Sequence, residues 1–110
     1  GIEFRLARWS LHENDRAQAD ATPHGMAKIV ADRKGRVIGA TLVAPRAGEA
    51  IGAWTIAVEK GLSLASMAGT VVAYPTLAEI GKRAAGSSFT AKLFAPRTRK
   101  LVRFLFRLPF

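Results

Sequence analysis

Two β-rich runs, Met26-Ala27-Lys28-Ile29-Val30-Ala31-Asp32 and Val37-Ile38-Gly39-Ala40-Thr41-Leu42-Val43-Ala44, flank the short polar segment Arg33-Lys34-Gly35-Arg36. β-branched and apolar residues on both sides of a tight turn, with Gly35 free to take a positive φ, specify an antiparallel hairpin. Gly39 inside the second run marks a bulge or a close backbone approach. After Pro45 the period changes: Ala47, Ala50, Ile51, Trp54, Ala57 and Val58 recur at helical spacing, and Gly61 follows as a stop. The spacing predicts a helix over residues 46–60. Its interior Gly48 and Gly52 each cost about 1 kcal/mol relative to Ala, which close packing against a neighbour would offset.

Residues 1–11 carry Ile2, Phe4 and Trp9, but Arg5 and Arg8 fall on opposite faces of an extended chain, as in an edge strand. Residues 12–25 are polar and punctuated, a loop or short helical turn. Ser63 to Met67 suits a helical turn, and Thr70-Val71-Val72-Ala73 a short strand. Thr76-Leu77-Ala78-Glu79 has the pattern of a capping box. The Thr76 hydroxyl would accept the N3 amide while Glu79 reaches back to the N-cap amide, opening a helix over 77–85 that ends near Gly86. Beyond Pro96, Leu101, Phe104, Leu105 and Leu108 share one helical face and Lys100, Arg103 and Arg107 another, a basic amphipathic helix. Strands first and helices afterwards give an α+β fold: an antiparallel hairpin or meander sheet with helices on one face, two layers, plus the C-terminal basic helix.

Composition narrows the function. With no cysteine, this chain contains no disulfide scaffold, thiolate metal site or redox pair. His12 and His24 lack a second ligand at helical spacing and read as surface residues. The longest uncharged stretch, residues 61–78, is too polar to span a bilayer. The start lacks an initiator Met and reads as a cut or processed fragment. Residues 1–79 hold 9 basic and 8 acidic residues, whereas 80–110 hold 8 basic and none acidic. The body is therefore close to neutral and the tail strongly cationic.

Gly35-Arg36-Val37-Ile38-Gly39-Ala40, Ala47-Gly48-Glu49-Ala50-Ile51, Ala57-Val58-Glu59-Lys60-Gly61-Leu62-Ser63 and Tyr74-Pro75-Thr76-Leu77-Ala78-Glu79 follow one another in an order and spacing that resemble a known domain. It is the C-terminal dimerisation domain of the FAD-dependent pyridine nucleotide–disulfide oxidoreductases, the family of glutathione reductase, dihydrolipoamide dehydrogenase and mercuric reductase. Glu13-Asn14-Asp15-Arg16-Ala17 is similar to the mercuric-reductase-like branch. The resemblance implies a dimerisation domain over residues 1–88, a tail helix over 89–110, and a homodimer whose parent enzyme binds FAD and NAD(P)H in upstream domains of the same polypeptide. Nothing in this chain resembles the G-x-G-x-x-G fingerprint, so the fragment alone is expected to hold neither cofactor and not to be catalytic by itself. A cytoplasmic enzyme follows, peripheral at the inner membrane face if its tail meets lipid.

In that family the loop before the last helix reads His-Pro-Thr-x-x-Glu, and the His, oriented by the Glu, acts as acid/base beside the partner subunit's disulfide and flavin. Here the positions are Tyr74 and Glu79. A tyrosine, with a pKa near 10, donates a hydrogen bond where histidine, near 6.5, would exchange a proton. The resemblance thus makes Tyr74 and Glu79 the candidate catalytic pair, with an acceptor such as a quinone in place of a disulfide. It also makes Trp54, Tyr74, Pro75 and Thr76 the candidate dimer contacts. The residues themselves leave plainer readings open: Glu79 as a cap, Tyr74 as an interface-edge aromatic, Trp54 as core.

The tail allows three readings. Lys100, Arg103 and Arg107 could meet an anionic membrane while Phe94, Phe104, Phe106 and Phe110 enter its acyl boundary. The same cations could bind nucleic acid, in a stand-alone basic module acting through residues 92–108. Or the helix packs on the domain and leaves a solvated charged face.

Overall fold

A computed structural model describes residues 3–107, apart from the Ala91 side chain. Gly1, Ile2, Leu108 and Phe110, which entered the strand and tail readings above, lie outside the described residues. The fold is α+β. Strands β1 (Phe4–Ser10), β2 (Met26–Asp32) and β3 (Val37–Val43) form an antiparallel sheet in the order β1-β2-β3, so β1 is the expected edge strand. Between β1 and β2 lie a 3-10 turn, Leu11–Glu13, and the short helix α1 (Asp15–Ala19). The hairpin turn has Gly35 at φ 84°, and its base is tied by Arg36, whose amide and Nε donate to the Asp32 carboxylate at 2.9 and 2.8 Å. The register shifts between Val30 and Ala31, which pair with Gly39 and Val37, leaving Ile38 as the extra residue of a bulge beside Gly39.

Alternation sorts the sheet into two faces. Ala7, Ala27, Ile29, Ala31 and Val37 are buried on the inner face, with Trp9, Ala40 and Leu42 at its margin. Phe4, Leu6, Ile38 and Val43 remain exposed, so the outer face is left open by this chain. The helices that pack on the sheet cover its inner face: α5 (Glu79–Leu93) lies across β1 and β2 and α3 (Gly52–Glu59) against β3, with α4 (Leu64–Gly69) alongside α5. The alanines of the inner face let α5 approach closely, and its Ile80, Ala84 and Ala85 are fully buried there. Trp54 fills the space between α3 and α5, its indole lying over Gly81, where any β-carbon would come within 2.2 Å of Nε1.

Three elements depart from expectation. The helix over 46–60 is interrupted at Ile51 into α2 (Ala47–Ala50) and α3, with Gly48 and Gly52 bracketing the break and Arg46 left-handed at φ 52° before it. Residues 70–73 form no strand and pair with none of β1–β3. Thr70 instead closes α4, its amide bonding the Met67 carbonyl and its hydroxyl the Ser66 carbonyl, and Val71 stands 93% exposed. The helix expected over 77–85 starts at Glu79 and runs on to Leu93, passing Gly86 and crossing residues 88–89 without a break. Ser87 and Ser88 donate to the carbonyls of Ala84 and Ala85 at 2.7 and 2.8 Å, and Phe89 packs on the core, so the helix gains contacts beyond its glycine. Pro96 is the true stop, since the residue before a proline is driven out of the helical region and Ala95 sits at ψ 146°. Helix α6 (Pro96–Leu105) then begins.

Candidate functional site

The candidate catalytic pair sits on the loop leading into α5, and the loop is positioned by the start of α1. Asn14 is the N-cap of α1, its Oδ1 accepting from the Ala17 amide at 3.0 Å while its Nδ2 donates to the Thr76 carbonyl at 3.1 Å. At 4% exposure Asn14 is a polar staple inside the fold, joining segments 62 residues apart. One residue on, the exposed Asp15 carboxylate accepts a hydrogen bond from the Tyr74 hydroxyl at 2.8 Å. The Tyr74–Pro75 peptide is cis.

Glu79 does not touch Tyr74 through a hydrogen bond. Its Oε2 accepts from the Thr76 amide at 3.2 Å, one half of the expected capping box. The other half is absent: the Thr76 hydroxyl donates to the Ala73 carbonyl at 2.7 Å instead of accepting from the helix, and α5 has Ala78 at its N-cap with no side-chain bond. Glu79 therefore secures the backbone that carries Tyr74.

These contacts fix the chemistry available to the hydroxyl. The hydrogen bond to Asp15, then the negative charge of Asp15, push the Tyr74 pKa above its ordinary value near 10, and the charge of Glu79 adds to this. Arg83 opposes it weakly. Tyr74 is thus protonated throughout the neutral range and cannot act as a general base there. Its single proton points to Asp15, which leaves the phenolic oxygen's lone pairs for any outside donor. The side chain is 68% exposed and available to one.

Two clefts adjoin the loop. One of about 280 Å³ is lined by Arg16, Arg46, Glu49 and Thr76, and there Asp20 ties Arg16 and Arg46 together at 2.9 and 3.3 Å. The other, about 420 Å³, lies on the far side of Glu79 and is lined by Trp9, Lys82, Arg83 and Ser87. Both are open grooves, and neither has the glycine-rich turn at a helix N-terminus that cradles a pyrophosphate, so the residues present do not fit an enclosed dinucleotide. Among the described residues no three His, Asp or Glu side chains gather as a metal site.

Of the candidate dimer contacts, Tyr74, Pro75 and Thr76 share this loop, Tyr74 and Pro75 exposed and Thr76 half-buried. Trp54 lies apart from them, 3% exposed in the core of its own chain, which leaves it almost no surface to offer a partner. His12 and His24 are exposed. Asn14 and Asp15 are the site residues that sequence reasoning missed. Asn14 had a local signal as a cap, but the link of Asp15 to Tyr74 spans 59 positions and has none.

The chain matches the model of the pyridine nucleotide-disulphide oxidoreductase dimerisation domain over residues 1–85. Mitochondrial dihydrolipoyl dehydrogenase of Mus musculus is 36% identical over 85 residues, a match covering 76% of this chain and 17% of the mouse protein. Among solved structures, LpdA of Mycobacterium tuberculosis superposes with a TM-score of 0.75 at 33% identity, covering 79% of this chain and 19% of that one. The HOCl-induced flavoprotein disulfide reductase RclA of Escherichia coli shares the fold with a TM-score of 0.73 at 20% identity, covering 78% of this chain and 20% of RclA. The chain spans about a fifth of the length of these relatives. Its sheet, its helices α1 to α5 and its matched residues make it a member of the pyridine nucleotide–disulfide oxidoreductase dimerisation-domain family.

Proposed function

We propose that the chain is the homodimerisation domain of a cytoplasmic FAD- and NAD(P)H-linked oxidoreductase, and that Tyr74 extends toward the partner subunit's flavin and substrate site as a neutral hydroxyl. The observation that carries this reading is the exposed Tyr74 whose proton is held by Asp15 at 2.8 Å, on a loop secured by Asn14 and Glu79. Where histidine would relay a proton, this arrangement gives a fixed polar contact. The phenolic oxygen accepts from a donor across the interface, Asp15 accepts the phenolic proton, and Glu79 acts at one remove by holding the Thr76 amide. Such a site favours an acceptor that needs orientation rather than a thiolate that needs protonation. FAD and NAD(P)H belong, on this reading, to upstream domains of the same polypeptide.

Two surfaces support an association role. The open face of the sheet exposes Phe4, Leu6, Ile38 and Val43, and α3 with its C-terminal turn exposes Ile56, Val58 and Leu62. Apolar side chains in such number on one small domain are what a two-fold partner or the rest of the enzyme would cover, and a stable interface needs roughly 800 Å² per partner.

The test is Tyr74→Phe in the complete enzyme, with turnover and molar mass measured together. Slower turnover with unchanged dimer mass is expected, and Asp15→Asn should reproduce part of the loss by freeing the phenol. Unchanged kinetics in both variants would leave Tyr74 a structural residue. A monomeric enzyme that is still active would overturn the dimer reading itself.

A further inference from the structure

Helix α6 lies beyond the residues that match the family, and it buries none of its side chains. Its wheel divides in two. At 100° per residue, Arg99, Lys100 and Arg103 form one continuous band, with Arg107 in the turn just beyond the helix, and Leu101, Val102, Phe104 and Leu105 the opposite side. Those four apolar side chains are 42–61% exposed, and Leu93, Phe94 and Phe106 extend the apolar surface past both ends of the helix. Leu93, Phe94 and Val102 also line an open cleft of about 600 Å³ in the angle between α5 and α6. Arg97 falls among the apolar positions near the helix start, where its long stem can lie along them and its head reach outward.

We propose that α6 docks in the plane of an anionic phospholipid bilayer, with its phenylalanines and leucines at the acyl boundary and its arginines and Lys100 among the headgroups. Charge complementarity identifies the occupant. Residues 80–110 hold no acidic residue, and among the described residues no ion pair reaches a cation of α6, so the band presents its positive charge to an anionic partner. Nucleic acid would satisfy the cations but leave large apolar side chains beside them in water. A second copy of the helix would cover the apolar side but leave both cationic bands, which then face outward, without an anionic partner. An anionic lipid surface satisfies both. Ten residues of helix rise about 15 Å, half of a hydrocarbon core, so α6 lies on the membrane and does not cross it.

Sedimentation of the full chain with vesicles tests this. Expected is co-sedimentation with equimolar phosphatidylglycerol and phosphatidylcholine, none with phosphatidylcholine alone, and release by salt. Each cation near such a surface is worth about fivefold in partitioning, so the triple variant Lys100→Gln, Arg103→Gln, Arg107→Gln should weaken binding roughly a hundredfold. Phe104→Ser with Leu105→Ser should also release the protein. Both variants alter only exposed side chains, and unchanged far-ultraviolet circular dichroism of the sheet and α1–α5 keeps the comparison fair. Wild-type chain that never sediments with the anionic vesicles overturns the proposal, as does a glutamine triple variant that binds like wild type. Binding that ignores the Phe104 and Leu105 changes but transfers to duplex DNA overturns it in favour of nucleic acid. A dimer that needs Phe104 and Leu105, without vesicle binding, overturns it in favour of a second copy.

Discussion

Gly81 and Gly86 lie five residues apart on α5, and alanine at each should move stability in opposite directions. At Gly81 the new β-carbon would come within 2.2 Å of Trp54 Nε1, 2.5 Å of Cε2 and 2.6 Å of Cζ2. Comfortable carbon contacts begin near about 3.5 Å, so the indole would have to retreat by more than an ångström. It has little room, being 3% exposed in a core shared with Ala57 and Ile80. Forced overpacking of this kind costs about 1–3 kcal/mol, and a rigid aromatic between two helices belongs at the upper end. At Gly86 a β-carbon meets nothing within 4 Å. Both substitutions gain the same helix propensity, about 1 kcal/mol, so the difference between the variants isolates the clash, about 2–3 kcal/mol. Urea unfolding followed by tryptophan fluorescence reads this directly. For a domain this small the slope is about 1–2 kcal/mol/M, and the two midpoints should stand about 1–3 M apart, Gly86→Ala above wild type and Gly81→Ala below it. Equal midpoints would mean that the indole does not lie over residue 81. Trp54→Phe should restore part of the loss in the Gly81→Ala background, because the smaller ring makes room.

Three further outcomes follow from the hydrogen bonds. Tyr74 is the only tyrosine, so phenolate absorbance reports it alone. Its midpoint should lie above the usual value near 10 and fall back toward it in Asp15→Asn, and an unchanged midpoint would remove the Asp15 contact. Asn14→Ala deletes both the cap of α1 and the bond to the Thr76 carbonyl, and should cost about 1–3 kcal/mol by urea unfolding, against a few tenths for an ordinary surface asparagine. Asp32 is held below the usual carboxylate range, first by the Arg36 amide and then by the Arg36 side chain. The stability that this adds is present above about pH 4, the unfolded carboxylate's range, and is lost as pH falls through the lower folded value. Asp32→Asn should flatten that part of the stability profile, and a wild-type profile already flat there would refute the assignment.

The parts of the fold that were legible in the sequence are those whose causes are local. Gly35 between two β-rich runs dictated the hairpin, Gly39 pointed to the bulge, and Ser63 began a helical turn that Ser66 and Met67 continue as α4. The illegible parts depend on a distant partner. Gly86 has the composition of a helix stop, yet Ala84, Ala85 and Phe89 gain more by continuing along β1 and β2 than the chain loses at the glycine. Val71 and Val72 have strand propensity, but propensity without a neighbouring edge forms no ladder. Trp54 could have belonged to an interface or to the core, and the decision came from Gly81, 27 positions away in sequence, whose missing side chain makes the place for the indole.

Tyr74 and Glu79 show the same division within the site. The capping pattern made Glu79 visible, and its carboxylate does hold the Thr76 amide, so its presence is accounted for by backbone geometry whatever occupies position 74. A glutamate retained here therefore says nothing about acid–base catalysis. Tyr74 is different, because its hydroxyl needs a partner that the loop itself does not supply, and Asp15 supplies one from the first turn of α1. Since Asn14 fixes that turn to the Thr76 carbonyl, the fold brings Asp15 within hydrogen-bond reach of Tyr74. A carboxylate so placed would draw a histidine toward its charged form, whereas it keeps a tyrosine neutral and oriented. Tyr74 and Asp15 are thus one chemical unit, and replacing Tyr74 by histidine alone should restore neither the protonation nor the geometry of a His–Glu relay. The imidazole would find Asp15 before it found Glu79.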